Sequence, residues 1–112
     1  MSNYANKIII TTGDPNGIGA EITIKALNMM NLPARDIVII SNSKVLNTYG
    51  SLQNNYEMIE IDYPNKIIPG EISAEAGDFA FKALKKACEL KPKFIVTAPT
   101  SKEAMNLAGH HY

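Results

Sequence analysis

The chain has 112 residues, a length that suits one small domain with its own core. Eleven lysine and arginine residues balance eleven aspartate and glutamate residues, so the formal net charge is zero. This balance argues against a nucleic-acid-binding surface and against a polybasic membrane patch. The longest purely apolar run, Ile37–Ile40, is too short for a membrane-spanning helix, and the single cysteine cannot form an internal disulfide. We therefore expect a cytoplasmic single domain.

Four short runs of β-branched or aromatic residues predict four β-strands. Most of the runs are continuously apolar, which is typical of strands that are covered on both faces of a sheet. They lie at Ile8–Ile10, Ile37–Ile40, Met58–Ile61 and Phe94–Val96.

Between these runs, apolar residues recur with the period of a helix. The first helix is predicted over about residues 18–30, and one of its faces carries Ile18, Ile22, Ala26, Met29 and Met30. The second is predicted over 74–90, with Ser73 as its N-cap and Cys88 as an inert residue on its apolar face. The third is predicted over 101–108, with Thr100 or Ser101 as its N-cap, and is closed by Gly109.

Strands that alternate with helices predict an α/β fold, with a mostly parallel sheet and flanking helices. Residues 62–70, rich in proline, glycine and polar side chains, are predicted to form a loop and not a domain linker. We therefore expect no domain boundary within residues 1–112.

Residues 11–19, T-T-G-D-P-N-G-I-G, lead from the first strand directly into the first helix. Ligands of open α/β sheets bind outside the carboxyl ends of the strands, which makes this segment a candidate site. Its glycine spacing matches neither the dinucleotide-binding fingerprint nor the phosphate-binding P-loop. The carboxylate of Asp14 suits a substrate hydroxyl, an ammonium group or a metal better than a phosphate. A plain type I turn over residues 14–17 remains the alternative interpretation.

Residues 97–103, T-A-P-T-S-K-E, lie between the last strand and the last helix. A lysine in the first turn of a helix is disfavoured by the helix dipole, so Lys102 indicates anion binding. An exposed, solvated lysine is the alternative. His110 and His111 are adjacent and have no evident third ligand, so we do not predict a metal site from them.

Three blocks together resemble the 4-hydroxythreonine-4-phosphate dehydrogenase family of pyridoxal phosphate biosynthesis, which is related to isocitrate and isopropylmalate dehydrogenases. The blocks are I-T-T-G-D-P-N-G-I-G-A-E-I at 10–22, G-E-I-S-A-E-A-G at 70–77, and V-T-A-P-T-S-K-E-A at 96–104 with A-G at 108–109. Their order and spacing match the family pattern over essentially the whole chain. Ala20 and Ser101 are mild departures, since the family usually has proline and asparagine there.

The resemblance implies that residues 1–112 are a single N-terminal α/β segment of a larger two-lobed enzyme with an isocitrate/isopropylmalate dehydrogenase-like fold. It implies NAD-dependent oxidation of 4-hydroxythreonine 4-phosphate, with decarboxylation, by a cytoplasmic homodimer that uses a divalent metal ion (Zn, Mg or Co). In the family pattern, a P-G-H-T-E block and three metal-binding histidines follow beyond Tyr112. We therefore expect a fragment that has no complete catalytic centre or metal site and is inactive alone.

Within this segment, Asp14, Asn16 and Lys102 are the predicted binding residues for a small phosphorylated substrate, and no residue is assigned to NAD. Two alternatives stay open: a related dehydrogenase for another phosphorylated four-carbon hydroxy acid, and a non-catalytic remnant or binding module. A phosphoacceptor receiver domain is rejected because it needs a whole strand and helix between its threonine and its lysine. Thr97 and Lys102 are only five residues apart.

Overall fold

The structure is a computed structural model that describes residues 3–30, 32–99 and 101–110. Its strands are β1 (Ile8–Thr11), β2 (Ile37–Ser41), β3 (Glu57–Glu60) and β4 (Phe94–Thr97). They form one parallel sheet in the order β3-β2-β1-β4. The predicted α/β class with a mostly parallel sheet is therefore confirmed.

The helices are α1 (Gly19–Met30), α2 (Ser43–Tyr49), α3 (Ala74–Glu89) and α4 (Lys102–Leu107), and a short 3-10 turn lies at Ala34–Asp36. Three of these helices are predicted by the sequence to within about two residues at each end. The hydroxyls of Ser73 and Ser101 accept hydrogen bonds from backbone N–H groups in the first turns of α3 and α4. Both serines are therefore N-caps.

The sequence does not predict α2, which has only seven residues and therefore too few turns to show a clear period. Its N-cap is Asn42, whose side chain accepts hydrogen bonds from the backbone N–H groups of Lys44 and Val45. The helix is stable in the folded protein because Val45 and Leu46 are buried. Local capping and tertiary packing together stabilise a helix that would not be stable alone.

The helices cover both faces of the sheet. On one face, α1 and α2 pack against Ile37 and Ile39 of β2. On the other face, Ala83 and Ala87 of α3 pack against Ile9, Val38 and Ile40. β2 is thus buried on both faces, and β1 is buried on its α3 face and partly buried on its α1 face, which explains their continuous apolar sequences.

The predicted apolar face of the first helix is not the face that packs on the sheet. The buried residues of α1 are Gly19, Ala20, Thr23, Ile24 and Leu27. Ile18, Ile22, Met29 and Met30 are instead exposed, and Ala26 is only partly buried. Because the helix is apolar around most of its circumference, its period alone does not indicate which stripe faces the core.

Cys88 is exposed, so the prediction of an inert core cysteine is wrong. Ala80, Ala83 and Ala87 form a buried stripe along α3, and Cys88 follows one residue after this stripe. As for membranes, no helix within the described ranges combines the length and the apolar content that a bilayer crossing would require.

Candidate substrate site at the switch point of the sheet

The two predicted site segments lie at the point where the order of the sheet reverses. From β1 the chain moves to β2 and β3 in one direction, and α3 then carries it back across the opposite face to β4. The reversal therefore falls between β1 and β4, which are direct neighbours. In open α/β sheets, the crevice outside the carboxyl ends of two such strands is the usual ligand site.

The segments that leave β1 and β4 contact each other. The backbone N–H of Ala98 donates to the carbonyl of Thr11 at 2.9 Å. A Cβ atom at Gly19 would lie 2.1 Å from the carbonyl oxygen of Thr12 and 2.9 Å from the Cβ of Ala98. Only glycine therefore allows α1 to begin so close to both segments.

Asp14 and Gly17 close a turn, because the N–H of Gly17 donates to the carbonyl of Asp14 at 3.0 Å. A turn over residues 14–17 is therefore present. Asp14 is 5% exposed, and its Oδ1 accepts a hydrogen bond from the N–H of Asn16 at 2.7 Å. The same residue thus stabilises the turn and brings a buried carboxyl group to the switch point.

Burial raises the pKa of Asp14, and the hydrogen bond from the N–H of Asn16 opposes this rise only in part. The described part of the chain provides no hydrogen-bond partner for the second carboxyl oxygen. Within the described residues, Asp14 therefore has one anchored oxygen and one oxygen without a partner.

Asn16 holds the turn against the loop between β3 and α3. Its Oδ1 accepts the N–H of Ile68 at 2.8 Å, and its backbone carbonyl accepts the N–H of Gly70 at 2.6 Å. The side-chain oxygen of Asn16 is thus already engaged within the protein. The ligand contact that the sequence indicates at Asn16 stays a prediction.

Two further hydrogen bonds stabilise the segment around the turn, and neither is predicted by the sequence. The phenol of Tyr49 on α2 donates to the carbonyl of Pro15 at 2.6 Å. The buried hydroxyls of Thr12 and Ser41 share a hydrogen bond of 2.6 Å where β1 and β2 end. Burial raises the pKa of Tyr49, and the negative charge of Asp14 raises it further. Tyr49 therefore acts as a neutral donor beside the carboxylate.

Lys102 is the first residue of α4 and is exposed. It forms no ion pair with any residue that the structure describes. Its location after β4 places it at the same end of the sheet as the Asp14 turn. Anion binding by Lys102 therefore stays a prediction. Thr100, the other predicted cap of this helix, lies outside the described residues.

His110 joins the end of α4 to α3. Its Nε2 lies 2.9 Å from Oδ1 of Asp78, and its ring stacks on Phe81 with the ring centroids 3.7 Å apart. Hydrogen bonds from His110 and Lys82 lower the pKa of Asp78. His111 and Tyr112 lie outside the described residues.

The donor set for a divalent metal is not found in this part of the protein. Residues 3–30, 32–99 and 101–110 contain no group of three histidine, cysteine, aspartate or glutamate side chains that could hold an ion. The residues present therefore do not fit the metal that the family resemblance implies, and Asp14 alone cannot form such a site.

Comparison with known proteins agrees with the three sequence blocks. Residues 5–112 match the family model described as pyridoxal phosphate biosynthetic protein PdxA. D-Threonate 4-phosphate dehydrogenase of Salmonella typhimurium is 34% identical, over 94% of this chain and 40% of that protein. 4-Hydroxythreonine-4-phosphate dehydrogenase of Synechococcus is 35% identical, over 95% of this chain and 36% of that protein.

Solved structures show the same similarity in three dimensions. A 4-hydroxythreonine-4-phosphate dehydrogenase from Burkholderia phymatum superimposes with a TM-score of 0.82 and 31% identity, over 98% of this chain and 41% of that one. The chain thus spans about two fifths of the length of the relatives that it matches. The family model covers nearly all of the 112 residues, and this chain belongs to the PdxA family.

Proposed function

We propose that this chain supplies the N-terminal part of the substrate site of an NAD-dependent dehydrogenase that acts on 4-hydroxythreonine 4-phosphate. The observation that carries the proposal is the burial of Asp14, a residue only 5% exposed at the switch point between β1 and β4. Burying a carboxylate without an ion pair costs stability, and perturbed carboxyl groups in clefts are typical of functional sites.

In this proposal Asp14 binds the polar, uncharged or cationic end of the substrate. Its free oxygen accepts a hydrogen bond from a hydroxyl or an ammonium group, and such charge-assisted bonds are stronger than neutral ones. Its negative charge keeps the phosphate group away from the turn. Asn16 and Tyr49 act as positioning residues, because they hold the turn at the loop and at α2.

Lys102 binds the anionic end of the substrate. A lysine side chain is a flexible point charge that suits phosphate or carboxylate oxygens, and Lys102 is exposed after β4. Asp14 after β1 and Lys102 after β4 would then contact opposite ends of one small phosphorylated molecule. This arrangement fixes the orientation of the substrate in the crevice.

The family membership supports the remaining parts of the proposal. We infer that residues 1–112 correspond to the N-terminal segment of a two-lobed, cytoplasmic homodimeric enzyme, and that NAD and a divalent ion (Zn, Mg or Co) take part in its reaction. The described residues do not fit a metal ion, so the proposal includes no chemical step at a metal ion. The relatives carry two names, one for 4-hydroxythreonine 4-phosphate and one for D-threonate 4-phosphate, so both substrates belong in the assay.

A chimaera tests the proposal. The matched part of the Salmonella typhimurium D-threonate 4-phosphate dehydrogenase is replaced by this chain, and NADH formation is measured with both substrates. We expect an active enzyme in which Asp14→Asn lowers kcat by about 100-fold, the size of effect that a misplaced substrate causes. Lys102→Ala should raise KM by about tenfold, the equivalent of roughly 1.4 kcal/mol.

Lys85→Ala is the matched control, because Lys85 is an exposed lysine on α3, away from the switch point. It should leave both kinetic constants unchanged. A folded, active chimaera that tolerates Asp14→Asn would contradict the proposed role of Asp14. If Lys102→Ala and Lys85→Ala behaved alike, Lys102 would be a solvated surface residue.

A further inference from the structure

The helix that carries Lys102 is too short to fix its own position. α4 has six residues, and a helix of that length is not stable alone in water. On its inner side, Ala104 and Met105 are buried, whereas Lys102 at its start is exposed. The proposed role of Lys102 therefore requires contacts that hold α4 in one orientation against the rest of the protein.

At its end, α4 turns the chain in a defined way. Gly109 adopts a φ of +91°, in the left-handed region that favours glycine. The N–H of Gly109 donates to the carbonyl of Asn106 at 3.0 Å. The N–H of the next residue, His110, donates to the carbonyl of Met105 at 2.9 Å. These two hydrogen bonds form a Schellman motif, which fixes the backbone from which the His110 side chain extends to α3.

On α3, the ring of His110 contacts one charged and one aromatic side chain. Its Nε2 lies 2.9 Å from Oδ1 of Asp78. Hydrogen bonds from His110 and Lys82 lower the pKa of Asp78, so at neutral pH this carboxylate is ionised and can only accept hydrogen bonds. The Nε2 of His110 is therefore the donor. The ring also lies nearly parallel to that of Phe81, at an angle of 7° and a centroid distance of 3.7 Å.

His110 gives α4 a second point of attachment to α3. The first is the crossing at Gly77, where a Cβ atom would lie 2.1 Å from the carbonyl oxygen of Ala104. A short rod that is held at one point can pivot about that point, and a second attachment near its end prevents the rotation. If α4 pivoted about the crossing, both of its ends would move, and Lys102 would move with the first.

We propose that His110 is a positioning residue for Lys102, which it holds at the switch point by clamping the far end of α4 to Asp78 and Phe81. This role rests on the proposed binding of the anionic end of the substrate by Lys102. His110 does not itself touch the substrate. Its loss should therefore weaken substrate binding and leave the chemical step unchanged, so that KM rises and kcat does not fall.

The first test is kinetic and uses the chimaera described above. His110→Ala should raise KM about fivefold and leave kcat within about twofold, the size of effect that is usual for a coupled pair of residues. Asp78→Ala removes the same hydrogen bond from the α3 side and should have the same effect. Lys82→Ala is the matched control, because Lys82 contacts the other oxygen of Asp78 from within α3, and it should leave KM unchanged.

A double-mutant cycle shows whether His110 acts through Lys102. In a Lys102→Ala background, His110→Ala should raise KM by less than about twofold, because the side chain that it positions is already absent. An undiminished fivefold increase in that background would overturn the proposal. His110 would then act on another part of the site, such as the segment that follows residue 112 in the chimaera.

Hydrogen exchange tests the clamp without any need for activity. In the chimaera, His110→Ala should speed amide exchange about fivefold in peptides that cover α4 and leave α1 unchanged. Unchanged exchange in α4 would overturn the proposal, whatever the kinetics. Faster exchange in α4, combined with a Lys102→Ala variant of normal KM, would confirm the clamp and overturn the proposed function of Lys102 instead. If His110→Ala does not fold, Asp78→Ala takes its place in each measurement.

Discussion

At the scale of single residues, Asp14 combines a structural and a functional role in one carboxyl group. One of its oxygens accepts the N–H of Asn16, so this oxygen stabilises the turn. The hydrogen bond needs an acceptor but not a negative charge. Burial disfavours that charge, as the raised pKa of Asp14 shows. The two roles can therefore be separated by a substitution that keeps the oxygen and removes the charge.

Asp14→Asn should not lower the free energy of unfolding at pH 7, and we expect a small increase. A carboxyl group with a raised pKa in the folded state binds protons more readily there than in the unfolded chain, so it costs stability at neutral pH. The advantage of the asparagine variant should shrink as the pH falls and Asp14 becomes protonated. Urea unfolding of both proteins between pH 7 and pH 4 measures this difference.

Asp62→Asn is the control, because Asp62 is exposed and lies in the loop after β3. Its substitution should change the free energy of unfolding by less than about 0.5 kcal/mol. A loss of more than about 1 kcal/mol in Asp14→Asn at pH 7 would show that the turn requires a charged cap.

The sequence predicted Asp14 and Lys102 as site residues because each lies between a strand and a helix in a recognisable block. Tyr49 was not predicted, because its contact with Pro15 depends on α2, which is itself too short to predict. The hydrogen bond between Thr12, which follows β1, and Ser41, which ends β2, joins residues that are 29 positions apart in the sequence. Such long-range contacts leave no local pattern in a single sequence.

At the scale of secondary structure, the contact between α3 and α4 depends on one glycine. A Cβ atom at Gly77 would lie 2.1 Å from the carbonyl oxygen of Ala104 and 2.5 Å from the N of Met105. The backbones of the two helices therefore touch where they cross. Since α4 follows directly after β4 and carries Lys102 at its start, this contact also determines where Lys102 lies.

Gly77→Ala should lower the free energy of unfolding by roughly 2–3 kcal/mol, as overpacking does. In an unobstructed helix interior the same change would instead stabilise by up to about 1 kcal/mol, so the sign of the effect is diagnostic. Gly17→Ala is the matched control, since a Cβ atom there would lie 3.5 Å from its nearest neighbour. Equal effects of the two substitutions in thermal unfolding would contradict the close helix contact.

The helices also show what a local pattern can predict. The three N-caps act within their own helices, and the two serines could be predicted because a cap needs only nearby residues. The buried face of α1 could not be predicted, because Ile22 and Ile24 are equally apolar and only the sheet distinguishes them. Periodicity thus located the helix, and tertiary packing determined its orientation.

At the scale of the whole molecule, the fold class follows from the alternation of strands and helices, and the strand order does not. The order β3-β2-β1-β4 depends on α3 crossing to the opposite face, which no local pattern indicates. This crossing creates the switch point and so brings the Asp14 turn beside the segment after β4. It also leaves β4 at an edge, although its sequence is that of an interior strand.

The chain alone should form no NADH above background with NAD, a divalent cation and either 4-hydroxythreonine 4-phosphate or D-threonate 4-phosphate. It supplies a turn, one carboxylate and one lysine, but the residues that the structure describes offer no set of metal ligands. Two side chains can orient a substrate, yet orientation does not lower the pKa of the reacting alcohol. The active chimaera, assayed in the same buffer, is the positive control. Steady NADH formation by the homogeneous 112-residue protein, abolished by Asp14→Asn, would show instead that these residues form a complete catalytic centre.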